Sequence, residues 1–200
     1  MTNLSMSLVN ALYNLQLMKI AGENGVAAYG AVMYVNFIFV ATFLGYAIGC
    51  APVISYHYGA GNHAELKNLY KKSMSIILVW GVILFGAAQL LAPVLSKIFV
   101  GYNTGLYAMT LHGFRVYAIA FLIIGINIFG SSFFTALNNG LISAVISFLR
   151  TLVFQVIMVL TLPLWFGING IWSAISIAEA LTLIMTTTFF VRQKDKYHYL

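Results

Sequence analysis

VAAYGAVMYVNFIFVATFLGYAIGC, residues 26–50, decides the fold, because no Asp, Glu, Lys, Arg or His interrupts it. Wound as an α-helix rising ~1.5 Å per residue, it exceeds the ~30 Å of a bilayer's hydrocarbon core. In hydrocarbon every backbone N–H and C=O must be satisfied within the segment, which a helix achieves and a lone strand does not. The stretch therefore predicts a membrane-crossing helix over about 27–50.

Outward from it, apolar runs of similar length predict further crossings at about 1–19, 73–95, 114–137, 141–164 and 169–191. The breaks between them are polar or rich in glycine: Gly22, Glu23 and Asn24; the YGAGN of 58–62; Asn138, Asn139 and Gly140; and 166–170 after Pro163. The segment 96–113 mixes Lys97, Gly101, Asn103, Gly105 and His112 with Phe99, Tyr102 and Tyr107. It reads as a short helix lying at the interface, where Tyr is favoured. The expectation is an all-α polytopic membrane protein: one six-transmembrane-helix bundle over 1–200, an interfacial segment, and a cytoplasmic tail at 192–200.

Composition agrees. The chain is 62% hydrophobic and 7% charged, with a mean hydropathy of +0.94, whereas soluble domains carry about 25% charged residues. Ten basic and four acidic side chains cannot cover a core in water, so the partner implied is the lipid bilayer. A net charge of +6 would suit nucleic acid if its cations shared one soluble face. Here they cap apolar runs, which argues for no nucleic acid. The lone Cys50, inside such a run, reads as a small buried hydrophobe. Lys67, Lys71, Lys72, Arg192, Lys194 and Lys196 fall on one side and Lys19, Lys97 and Arg115 on the other. By the positive-inside rule both termini are cytoplasmic. Met1 opens almost directly into the first helix without the basic flank of a signal peptide, and the loss of an upstream half is expected.

Polar side chains in lipid must face other helices or water. Asn3, Ser7, Asn10 and Asn14 recur along one helical face, as do Asn127, Ser131, Thr135 and Asn138 in the fourth run. Ser143, Ser147, Arg150 and Gln155 mark the fifth, and Ser173, Ser176, Glu179, Thr182 and Thr186 the sixth. Hydroxyls at such positions are commonly interhelical links; the amides carry more hydrogen-bonding capacity than a link requires. Together the lines predict a bundle around a partly wet cleft. Glu179, in the middle third of the last run, costs ~2.5–3.5 kcal/mol at that depth unless partnered. It is either a link to a neighbouring helix or a proton-responsive group and contact for a cationic substrate. Arg150 is expected to snorkel along its stem to the membrane surface in preference to pairing with Glu179. His57 and His63 lack the carboxylates or thiolates of a metal set. There is no HExxH, P-loop or GxSxG pattern, so no metal, no cofactor and no enzymatic reaction is expected.

Several short stretches, in order, resemble one family: VAAYG at 26–30, Pro52 with SYHYGAGN at 55–62, LKNLYKKS at 66–73, FFTALNNG at 133–140, SFLR at 147–150, and GINGIW at 167–172 with Glu179 behind it. These are similar to the second six-helix lobe of multidrug and toxic compound extrusion (MATE) transporters. The resemblance implies half of a secondary antiporter that expels organic cations and other small amphipathic substrates in exchange for H+ or Na+, lacking the N-terminal lobe, in a bacterial cytoplasmic membrane. It implies a cleft lined by Asn10, Asn14, Asn36 and Asn127, with Met33 and Tyr34 as adaptable apolar contacts, and Glu179 and Arg150 as its proton or charge carriers. Helices 1–19 and 114–137 hold no Asp or Glu, unlike the sodium-coupled branch, so the likeness is closer to the DinF-like branch. The rival readings are a lipid-linked oligosaccharide flippase, which would need more basic residues in the cleft, and a non-transporting truncated membrane protein.

Overall fold

The computed structural model describes residues 5–200, with helical backbone from Thr2, and all its regular structure is helical. Helix α1 (Thr2–Gly59) is two arms joined at Gly22, whose φ of 62° and ψ of −153° break the helical path. Only glycine takes such a conformation without strain. The Tyr29 hydroxyl bonds Asn10, 19 residues earlier; a straight helix would hold them ~28 Å apart. The arms, 2–21 and 23–59, therefore form an antiparallel hairpin.

Asn62 caps α2 (His63–Val100) by accepting from the Glu65 N–H. Asn103 does the same for α3 (Thr104–Ala118) through Leu106 N–H. After α4 (Phe121–Ala136) comes the expected Asn–Asn–Gly turn, with Asn138 at φ 58° and Asn139 capping α5 (Gly140–Phe148). A π-helical turn, Leu149–Val153, leads into α6 (Phe154–Phe166), and α7 (Ile168–Tyr197) follows Gly167 at φ 55°.

Four helical stretches are long and apolar enough to cross a bilayer, and the bent pair α3–α4 adds a fifth. Counting the arms of α1 separately gives six crossings. Large apolar side chains such as Leu90, Ile98 and Leu164 point outward, as expected where lipid is the solvent.

Two stretches take a definite form in the structure. The 96–113 segment divides between two helices: Ser96–Val100 completes α2, and α3 buries Leu106, Thr110, Gly113, Phe114, Tyr117 and Ala118. That helix then bends by 47° into α4, and the bend is local. Ile119 and Ala120 N–H bond carbonyls three residues back instead of four. Gly81 of α2 lies under the break, where a Cβ would meet the Phe121 carbonyl at 3.1 Å. The tail at 192–200 is ordered. α7 runs to Tyr197, His198 reverses the chain at φ 54°, and Tyr199 docks with no exposure at all.

Candidate functional site

A cavity of about 200 Å³, partly open, lies where both arms of α1 meet α3, α4, the π turn, α6 and α7. Its aromatic wall is Tyr13 stacked on Tyr29, ring centroids 5.1 Å apart and nearly parallel. Amides fix both hydroxyls: Tyr29 donates to Asn10 Oδ1 at 3.0 Å, and Tyr13 to Gln155 Oε1 at 3.5 Å. Met6, Met33, Phe37 and Val40 supply apolar surface. Asn36 also lines the space, and its side-chain oxygen is buried without a partner. In a protein interior such an orphan costs ~1–3 kcal/mol.

At the inner end stand the charges. Glu179 is 1% exposed. Arg150 Nε donates to its two oxygens at 2.8 and 3.1 Å, forming the one salt bridge among the described residues. Asn127, fully buried, donates from Nδ2 to Glu179 Oε2 at 2.7 Å and to the Glu179 main-chain carbonyl at 2.9 Å. Two side chains thus hold one carboxylate through three hydrogen bonds. Desolvation makes a lone charge here prohibitive, and pairing plus hydrogen bonding makes it tolerable.

The pairing overturns the snorkelling expected of Arg150, and the backbone explains how. The π turn closes with Phe154 N–H bonding Leu149 C=O, five residues back. Arg150 sits within that turn and reaches Glu179 of α7 from it. A single π turn inside an α-helix often marks a functional site.

Of the side chains singled out from sequence, Asn10, Met33, Asn36, Arg150 and Glu179 line the cavity, and Asn127 braces it from behind. Tyr34 does not. It is 65% exposed and stacks on Phe99 at 5.9 Å. Asn14 is exposed and outside the lining as well. The Asn3 side chain lies outside the described residues. Sequence reasoning missed Tyr13, Tyr29 and Tyr117; Gln155 enters it only as one of the polar residues that mark the fifth run. Tyr13 lies three residues from Asn10, a helical neighbour that carried the signal.

Elsewhere, the hydroxyls of the fourth and fifth runs are links. Ser131 meets Ser143 at 2.9 Å and Ser147 at 2.7 Å, and Thr135 meets Ser143 at 2.6 Å.

Comparison with known proteins fits this architecture. The outward-facing conformation of a multidrug resistance MATE family transporter of the MOP superfamily superposes with a TM-score of 0.88 at 21% identity, covering 98% of this chain and 44% of that one. The inward-facing conformation of such a transporter gives 0.86 at 21%, covering 97% and 46%. A MOP superfamily transporter from Pyrococcus furiosus Vc1 (DSM3638) gives 0.87 at 21%, covering 97% and 44%. The chain thus spans less than half the length of the solved structures it matches. No curated protein sequence matches it. The MatE family profile matches residues 1–161, and the chain belongs to that family of multi-pass membrane transporters.

Proposed function

We propose that this chain forms one lobe of a secondary exporter and that the Arg150–Glu179 cavity is its substrate and coupling site. The observation that carries the reading is a neutralised ion pair facing partly open space inside an apolar bundle. Lipid-facing helices have no use for such an arrangement; a protein that must bind and release a polar molecule does.

The complete transporter pairs this lobe with a companion six-helix lobe, and the two rock around a shared midplane site. Substrates are small amphipathic compounds exported against inward flow of H+ or Na+. The setting is a bacterial cytoplasmic membrane with both termini inside. Asn10, Met33 and Asn36 contact substrate, Glu179 and Arg150 respond to the coupling ion, and Asn127 positions the carboxylate.

The test is efflux by the complete transporter in vesicles under an imposed H+ or Na+ gradient, wild type against Glu179→Gln. The expected result is a loss of gradient-driven efflux of at least tenfold. Undiminished efflux across a range of pH would remove Glu179 from the mechanism.

A further inference from the structure

Resting on that reading of the cavity, we infer that the ligand this lobe takes is an amphipathic acid: an apolar body bearing a carboxylate or similar oxyanion that docks on Arg150.

The order of the charges along the cavity carries this. Glu179 sits behind, 1% exposed, with Arg150 and Asn127 filling three hydrogen-bond positions on its oxygens of the about four that a carboxylate offers. Arg150 sits in front, its side chain 18% exposed and part of the lining. It spends only Nε on the carboxylate. The N–H groups of its two terminal nitrogens have no hydrogen bond among the described residues, and they form the planar fork that grips an oxyanion through two parallel bonds.

Charge balance points the same way. Arg150 and Glu179 are the only formally charged side chains of the lining; Tyr13, Tyr29 and Tyr117 are its other titratable groups. A cation reaches Glu179 only by displacing the guanidinium, whose charge would remain alongside. An anion joins Arg150 without breaking a bond already made. The rest of the lining completes the ligand: Met6, Met33 and Phe37 accept an apolar body, and the unpartnered Asn36 oxygen accepts a hydroxyl or N–H beside the acid.

Two probes with one ring and opposite charge decide the matter: 1-naphthoate and 1-naphthylmethylammonium, titrated calorimetrically into the full chain in phosphatidylcholine nanodiscs, with empty discs as blank. Naphthoate should bind saturably and at least tenfold more tightly than the ammonium. Arg150→Gln should weaken it at least tenfold, and Arg150→Lys, which keeps the charge but loses the fork, severalfold. Glu179→Gln should tighten it severalfold, because the guanidinium then lacks a counter-charge; this variant keeps the proposal testable if Arg150→Gln does not fold. A loss of naphthoate binding confined to discs containing phosphatidylglycerol would show an anionic lipid to be the source of the same acidic chemistry, which supports the proposal. Tighter binding of the ammonium, dependent on Glu179, would overturn the acid and leave the cavity as a substrate site. If neither probe binds saturably, the acid and the substrate site of the preceding reading fall together.

Discussion

The cavity and the aromatic end of the bundle are both buried, yet they are built on opposite principles. Around Arg150 and Glu179 a few polar bonds hold the walls apart, leaving open volume and the unpartnered amide oxygens of Asn36 and Asn127. Around Tyr199, the rings of Tyr70, Phe133 and Phe190 close to centroid distances of 5.0–6.2 Å, and the Tyr199 hydroxyl donates to the Phe190 carbonyl at 2.8 Å. Tight, satisfied packing is what stability needs. Space with unfilled hydrogen-bonding capacity is tolerated where something must enter. The contrast locates function at one end and anchorage at the other.

Breaking the ion pair should give the largest effect. Arg150→Met leaves a carboxylate buried with only Asn127 for company, and removing one partner of a buried pair costs about 3–5 kcal/mol. Replacing both, Arg150→Met with Glu179→Leu, removes the uncompensated charge and should restore most of that stability. Thermal unfolding of the reconstituted chain measures both. If the double variant were as unstable as the single, the pair would be a packing element and its contrast with the aromatic end would collapse.

The aromatic end answers next. Tyr199→Ala empties a fully buried ring site and should cost about 3 kcal/mol, within the range for large aromatic truncations. The loss should appear as proteolytic release of residues 198–200, while naphthoate binding at the distant cavity stays unchanged. Coupling between the two would mean that the ends are not independent.

How far the sequence disclosed this depends on what each feature rests on. Uninterrupted runs such as 26–50 disclosed the crossings, because hydrocarbon permits few alternatives. Asn10, Met33, Asn36 and Glu179 were legible as cavity residues because a polar group on an apolar helix has few places to go. The pairing of Arg150 was the less favoured of two readings, and the π turn it sits in is not announced by LRTLV at 149–153. Likewise VYAIAFL at 116–122 contains neither Pro nor Gly, and the bend there rests on backbone bonds that close three residues back, beside the close approach of Gly81 on another helix. Tyr34 and Asn14 are exposed and lie outside this cavity, a placement along α1 that helical periodicity alone does not decide. Tail docking is a tertiary event, invisible in a segment whose composition reads as surface.

Between the two ends a glycine sets the spacing. Gly125 of α4 takes the Phe43 ring and Ile77 against its backbone, and a Cβ there would fall inside both side chains. Phe43 and Ile77 are themselves buried and have little room to retreat. Gly125→Ala should cost about 1–3 kcal/mol through overpacking. Gly86→Ala, with nothing near the added methyl, should instead stabilise by about 0.5–1 kcal/mol through helix propensity. Equal effects at the two sites would show that spacing at Gly125 is not limiting.

The smallest effect isolates one hydroxyl. Tyr199→Phe keeps the ring and removes its bond to the Phe190 carbonyl, a loss of about 1 kcal/mol. Burial, with the neighbouring Tyr70 and Tyr197 phenols, pushes the Tyr199 phenol above its ordinary range. A raised phenol favours the neutral, docked form, so its contribution is whole below the ordinary tyrosine value of about 10. It is lost as pH climbs beyond that, because the unfolded tail ionises first. A fluorophore on Leu200 should therefore report a docked tail from neutral pH to about 10 and release above it. In Tyr199→Phe that alkaline release should be blunted while the neutral-pH signal falls only slightly. Release of the wild-type tail near neutral pH would mean that something other than the buried phenol holds it.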